Sequence, residues 1–323
     1  MDVGAVELPD FVPRAPWWGP DLQTVRNILL RDYPDLSPWP SRRIEIVADN
    51  GDVLLGSYHE GRDPGAPLVV MLHGLGGCEE SAYVLAGARA FLESGYRVFR
   101  FNLRGAGPSS GTCRQLYHGG RSEDVGLMLS GLDREGIAGP DVYAVGYSLG
   151  GNTLLKYLGE AGDNARLGRV VSVSAPLDLA TSADWLEKTR NRAYQAWLLG
   201  RIKEDWRGGT RDVTGEQRQV VERARSIREL DNDLVAPVNG FADADDYYAR
   251  CSSGPYLENI RVPTLLLHGA DDPWIPATTY LALEASLPEH VRMEVAPGGG
   301  HVGFHGRGGR WHDRCALAFF DAG

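Results

Sequence analysis

Asp141-Val-Tyr-Ala-Val-Gly-Tyr-Ser-Leu-Gly-Gly-Asn152 opens as a short apolar run with two valines and a tyrosine, the pattern of a buried strand. It turns through Gly146-Tyr147-Ser148-Leu149-Gly150. It continues as Asn-Thr-Leu-Leu-Lys-Tyr-Leu, with Leu154, Leu155 and Leu158 spaced for one face of a helix. A strand, then G-x-S-x-G, then a helix is the context that makes this short motif a nucleophile elbow. The sharp turn holds the Ser148 hydroxyl clear of the backbone, and larger residues at 146 and 150 would crowd it. The helix that starts there aims free N–H groups and its positive dipole end at the place where an oxyanion would form. Glycine makes up 41 of the 323 residues, so chance matches to the motif occur; the flanking strand and helix set this one apart.

Working outward, strands and helices alternate. Arg43–Val47 and Val53–Tyr58 read as two strands joined by Asp49-Asn50-Gly51-Asp52, a hairpin turn signal. Leu68–Leu72 is continuously apolar, as a strand buried on both faces must be. Ser81–Glu93 reads as a helix, Tyr96–Asn102 as a strand, Glu123–Leu132 as a helix and Val170–Val173 as a strand. From residue 180 to 258 no buried strand is expected. Amphipathic stretches such as Trp185–Arg201 and Glu216–Ile227 take its place. The pattern resumes with strand Thr264–His268, helix Thr278–Ser286, strand Arg292–Val295 and a last helix, Trp311–Phe320. The expectation is an α/β fold: a mostly parallel sheet flanked by helices, with a helical cap inserted between late strands. The division expected is an N-terminal arm at 1–40, a core at 41–179 and 259–323, and a cap at 180–258. The arm is rich in proline and tryptophan, with one helix near Leu22–Leu30, and is expected to pack its aromatics on the core.

Composition narrows the function. Formal net charge is -10, from 33 Lys and Arg against 43 Asp and Glu, which argues against nucleic acid and anionic membrane partners. Cys78, Cys113, Cys251 and Cys315 are far apart with no C-x-x-C, so free thiols in a reducing compartment are expected. Residues 1–10 carry acids and lack the basic and apolar regions of a signal peptide. No apolar run approaches the length of a membrane span. A cytoplasmic location is expected. Oligomeric state is not legible.

A serine nucleophile needs a base and an orienting acid, in the chain order serine, acid, histidine for this architecture. Asp271 and Asp272 follow the Thr264–His268 strand. Asp272, directly before Pro273, is preferred, and Asp271 reads as a turn residue capping its own backbone. Gly298-Gly-Gly-His-Val-Gly-Phe-His305 follows the last strand; His301, in the tight glycine run, is preferred over His305, which reads as a surface or supporting histidine. His73-Gly-Leu-Gly-Gly77 lies where an oxyanion loop belongs, with the amides of Leu75 and Leu149 as donors. His73 reads as structural. The expected substrate-pocket residues are His73, Gly74, Tyr147, Trp274 and Phe304. The other histidines, His59, His118, His268, His290 and His312, show no metal spacing, and no nucleotide-binding glycine motif is present, so no metal or cofactor is expected.

These residues resemble the YheT-type branch of the α/β-hydrolase fold, which also holds mammalian α/β-hydrolase-domain lipases and yeast medium-chain ethyl-ester synthases. Asp21-Leu-Gln-Thr24 is similar to the branch's LQT segment, Asn102-Leu-Arg-Gly105 to its N-x-R-G loop, and Leu116-Tyr-His-Gly119 with Asp124 to its LYH-G motif and aspartate. Ser174–Leu179, Leu230-Asp231, Pro237, Gly240-Phe241, Asp246-Tyr-Tyr248, Asp271-Asp-Pro273 and Gly299–Phe304 follow in the branch's order. By position the resemblance implies a triad of Ser148, Asp272 and His301. The chain departs from the branch at Leu230, where Phe is usual, and at His268-Gly269. The triad implies a serine esterase acting on small or lipid-like esters, and the resemblance allows acyl transfer to an alcohol as the alternative; a cap over the strand ends is expected to leave a modest, dry pocket that prefers short to medium acyl chains. A catalytically dead ligand-binding relative would lack a triad member or the oxyanion glycines.

Overall fold

A computed structural model describes residues 3–30 and 33–322. Its sheet is built around β3, Leu68–Leu72, every residue of which is buried. A strand in that position has helices over both faces, and its alternate side chains feed two separate cores. Val70 and Leu72 pack with helix α3 (Glu123–Arg134) and helix α4 (Leu149–Ala161), while Val69 and Met71 pack with helix α2 (Ala82–Glu93) and helix α12 (Trp311–Asp321). The other strands are β1 (Ser41–Val47), β2 (Val53–His59), β4 (Arg97–Phe101), β5 (Val142–Tyr147), β6 (Arg169–Val173), β7 (Thr264–Gly269) and β8 (Val291–Ala296). They lie in the order β1-β2-β4-β3-β5-β6-β7-β8. Only β2 runs against its neighbours. Burial follows position. The interior strands β4, β6 and β7 are buried throughout, whereas edge strand β1 buries only Ile44 and Ile46 on alternate residues. His305–Gly306 (β9) and Gly309–Arg310 (β10) form a separate two-stranded ribbon.

Between β6 and β7 the chain forms helices α5 (Leu179–Glu187), α6 (Arg192–Arg207), α7 (Gly215–Arg223), α8 (Ile227–Leu230), α9 (Ala236–Val238) and α10 (Ala244–Cys251), with a π turn at Asp231–Val235. The expected continuous helix Trp185–Arg201 is in fact two. The chain turns extended at Lys188, and Asn191 Nδ2 donates to the Trp185 carbonyl across the break. Asp178 caps α5 by accepting the Thr181 amide. The expected helix Glu216–Ile227 also divides: a Thr214–Gln217 capping box starts α7, Ala224 is extended, and Ser226 caps α8. The helix expected over Thr278–Ser286 is one turn, α11 (Thr278–Leu281), followed by a 3₁₀ turn.

The N-terminal helix α1 spans Pro20–Leu30. Phe11 does pack its ring on Phe304 and Trp311, but Trp18 stands 61% exposed, so the arm buries only part of its aromatic surface. Residues 1, 2, 31 and 32 of the arm lie outside the described residues. Among the described residues, no helix is long and apolar enough to cross a membrane. All four cysteines are unpaired.

One buried ion cluster ties the β1–β2 turn to the loop after β4. The Arg104 guanidinium donates to Asp52 Oδ2 at 2.8 Å and to both carboxylate oxygens of Asp124, and all three side chains are almost wholly buried. Burial works against the Arg104 charge, yet Asp124 and Asp52 outweigh it and hold the guanidinium pKa above its ordinary value. Removing one member of such a cluster leaves the others charged and unpaired. Arg104→Met is therefore expected to cost about 3–5 kcal/mol of stability. Denaturant unfolding checks this. A loss under 1 kcal/mol, on the scale of about 0–1 for an exposed pair, would mean the cluster is solvated.

Candidate active site

Ser148 ends β5 and caps α4 with φ 50° and ψ -123°, a backbone conformation that non-glycine residues rarely adopt. Its neighbours are glycines for want of space. A Cβ at Gly146 would lie 2.7 Å from the Gly150 carbonyl oxygen, and one at Gly150 would lie 2.4 Å from that of His73. The Ser148 amide donates to the Val173 carbonyl at the end of β6, which fixes the turn against the sheet.

Three side chains from three loops meet there. His301 Nε2 lies 2.9 Å from Ser148 Oγ, and His301 Nδ1 lies 2.9 Å from Asp272 Oδ2. Asp272 Oδ1 accepts the amides of Trp274 at 2.8 Å and Ile275 at 3.1 Å, so both carboxylate oxygens are engaged. Burial pushes the Asp272 carboxyl up, but the His301 charge and hydrogen bond outweigh it and hold the pKa below its ordinary value. The carboxylate is thus ionised and aimed at one ring nitrogen. This arrangement can orient an imidazole that accepts a proton from Ser148 Oγ. The Trp274 ring stacks on the imidazole at 4.3 Å.

Asp271 meets its own backbone amide, as expected of a turn residue, and it also reaches the histidine loop. Its Oδ1 accepts the Gly300 amide at 2.9 Å, so it holds the histidine loop from below. His305 is buried rather than on the surface. Its backbone exchanges hydrogen bonds with the Gln23 side chain, and its ring lies away from Ser148 with no partner for Nε2. Sequence reasoning did not single out the bracing from α1. Thr24 Oγ1 accepts the His301 amide at 2.9 Å. The LQT segment was visible as a resemblance, but only the fold shows that its Gln and Thr reach the histidine loop.

The loop His73–Gly77 passes beside the serine. His73 is fully buried; its Nδ1 pairs with the Gly74 carbonyl at 2.8 Å and its Nε2 accepts the Leu103 amide at 3.1 Å. The Tyr83 hydroxyl accepts the Gly74 amide and the Tyr117 hydroxyl accepts that of Gly76. The amides of Leu75 and Leu149 donate to no described residue, and both residues border the same cavity as Ser148.

That cavity measures about 100 Å³ and runs from Ser148 and His301 up into the helical insertion. Of the expected pocket residues, Trp274 lines it. His73, Gly74, Tyr147 and Phe304 do not. Strand alternation sends Tyr147 to the opposite face of the sheet, against Tyr83 and His312. Phe304, at φ 47°, turns inward onto Phe11 and Trp311. Gly74 matters by its smallness: a Cβ there would lie 2.9 Å from Ser148 Cβ. Leu230 is fully buried and off the cavity wall, so the departure from Phe leaves the wall itself unchanged. His268 lies behind the acid, 4.0 Å from Asp272 Oδ2 and stacked on Tyr280.

Comparison with known proteins agrees with this architecture. The α/β hydrolase fold family matches residues 67–307. The YheT protein of Escherichia coli is 33% identical, over 92% of this chain and 87% of its own. A Saccharomyces cerevisiae monoacylglycerol lipase is 31% identical over 79% of this chain, which spans 60% of that longer protein. The solved structure of 2,6-dihydroxy-pseudo-oxynicotine hydrolase superposes with a TM-score of 0.60 at 22% identity, covering 93% of this chain and 71% of its own.

The buried histidines give the site a pH signature. Burial pushes both His73 and His268 down to about 4, so the folded protein holds them neutral. Unfolded histidines titrate near 6.5, so between about 4 and 6.5 the unfolded chain binds more protons. Stability is therefore expected to fall as pH drops through that window, less an opposing gain from Asp231, whose carboxyl is held up to about 7 by burial. Melting temperatures from pH 7.5 to 4.5 check it; a flat profile would show these rings to be solvated.

Proposed function

Because the chain belongs to the α/β-hydrolase family, in the branch of YheT, we propose that it is a serine carboxylic-ester hydrolase. What supports this reading above all is the unbroken line from Asp272 through His301 to Ser148, with two contacts of 2.9 Å, opening on a mainly apolar cavity. Ser148 Oγ attacks the ester carbonyl while His301 Nε2 takes its proton. The Leu75 and Leu149 amides hold the tetrahedral oxyanion at the N-terminus of α4. His301 returns the proton to the departing alcohol, leaving the acyl group on Ser148. A water, deprotonated by His301, then releases the acid. Asp272 keeps the proton on Nδ1 and stabilises the imidazolium.

Residues 180–258 act as the cap in this reading, since Ala183, Leu186, Leu198 and Ile202 roof the cavity over the serine. A cavity of about 100 Å³ favours short to medium acyl chains. Each methylene that fits adds up to about 0.8 kcal/mol, so kcat/KM rises with chain length and then falls at the pocket's end. The same apolar wall keeps acyl transfer to an alcohol as the second reading, distinguished by the product formed when a short alcohol is added.

The test is an ester panel from acetate to palmitate with wild type and Ser148→Ala. The variant is expected to fold normally and lose on the order of 10⁶ in kcat. Near-normal turnover by the variant removes Ser148 from the mechanism, and a maximum on palmitate removes the chain-length reading.

The acid is tested separately. Asp272→Asn is expected to leave the wrong imidazole tautomer and cost about 10⁴ in kcat. Asp271→Asn keeps an oxygen for the Gly300 amide and is expected to have a mild effect. The reverse order of losses would transfer the role to Asp271.

A further inference from the structure

Asp231 sits on the π turn of the cap and lines the cavity that holds Ser148 and His301. The reaction proposed above does not use it. Most of the surrounding wall is apolar, with Leu179, Leu186 and Ile227 among its residues. The Tyr248 hydroxyl donates to Asp231 Oδ2 at 2.6 Å, which joins the π turn to α10. Oδ1 accepts no hydrogen bond from any described residue, and it is not sealed off. The residue is surrounded by protein yet keeps part of its surface accessible, and it is one of the residues that line the cavity. Arg228, the nearest cation, is committed to Asp184 and Asp245. Burial pushes the carboxyl up to about 7, with Tyr248 and Arg228 drawing it back only in part.

Joining two cap elements needs one carboxylate oxygen. The second oxygen is a polar group held open in an apolar cavity, which is costly unless a ligand meets it. Trp206 lines the same cavity, and its indole N–H is buried without a partner.

We propose that Asp231 is a specificity-determining residue that binds a free hydroxyl of the substrate remote from the ester bond. This deepens the ester-hydrolase reading and rests on it. A hydroxyl suits the site because it donates to a carboxylate and accepts from a protonated carboxyl, and it brings no charge into the cavity. A substrate ammonium would have to shed its hydration in apolar surroundings and would find only one counter-charge. The hydroxyl belongs to the acyl chain or to the alcohol part, and the two sources are separated by experiment.

One arm compares kcat/KM for aryl hexanoate and octanoate with their monohydroxylated positional isomers. The other compares propyl hexanoate with its hydroxypropyl counterparts. Each is measured with the full chain as wild type, Asp231→Asn and Asp231→Leu. Wild type is expected to favour at least one hydroxylated ester over its parent by about tenfold or more, in one arm. Asp231→Asn retains part of that ratio and Asp231→Leu abolishes or inverts it. The inference is overturned if wild type favours the parent esters throughout, or if the preference survives in the Leu variant. Should the Leu variant fail to fold, the wild-type ranking and the Asn variant decide. Parent esters turned over without any hydroxyl preference sink this inference alone. No turnover of any ester sinks the hydrolase reading, and this inference with it.

Discussion

The strained backbone of Ser148 is the constraint on which the rest of the site depends. A non-glycine residue at positive φ costs about 1–3 kcal/mol and persists only where the surroundings over-determine it. Here they do so from three sides. Strand β5 lies between β3 and β6, the Ser148 amide is tied to Val173, and α4 begins so close to β3 that position 150 has no room for a Cβ. The sheet's hydrophobic burial therefore maintains a local geometry that the segment alone would not keep. Leu68, Val70, Val145 and Leu266 are fully buried, and each anchors a strand whose C-terminal end carries part of the site.

Electrostatics then act on that frame. Asp272 is buried and ionised because an imidazole and two backbone amides meet it. His73 and His268 are neutral because burial outweighs the groups that meet them. Titratable groups near one serine thus take the charge states that burial and partners set. The neutral rings serve packing and hydrogen bonding: His73 ties the loop beside Ser148 to the Leu103 amide, and His268 fills the space behind Asp272.

The parts of this arrangement that were legible in the sequence are those written in local pattern. The strand-turn-helix at 141–152, the continuous apolar strands and the break after Val173 needed only period and composition. Helix ends inside the cap were not legible, because Lys188 and Ala224 carry no breaker signal and the divisions come from caps at Asn191 and Ser226. Pocket lining was read worst. Adjacency to a reacting residue in sequence suggested Tyr147 and Phe304, but alternation along β5 and an inward turn at Phe304 send both into the core. The residues that do line the cavity come from core loops and from five cap elements, and no single-sequence pattern orders those in space.

The two halves of the site are held by different means. The serine half is local: glycines, a strand end and a helix start within one short stretch. The histidine half has no such support. Val302 and Phe304 both sit at positive φ, and Val302 is β-branched, so this loop is strained as well. Its restraints come from far along the chain: Thr24 on the His301 amide, Gln23 on the His305 backbone and Asp271 on the Gly300 amide. Helix α1 is therefore not an appendage that covers exposed surface. A carbonyl of α1 stands 2.4 Å from where a Gly300 Cβ would be, and another stands as close to Gly303. The glycines of the loop permit the close approach, and α1 supplies the hydrogen bonds that the loop cannot make for itself. An imidazole aimed at Ser148 is thus braced by residues nearly three hundred positions away, which is why the LQT segment belongs with the site and not with the arm that carries it.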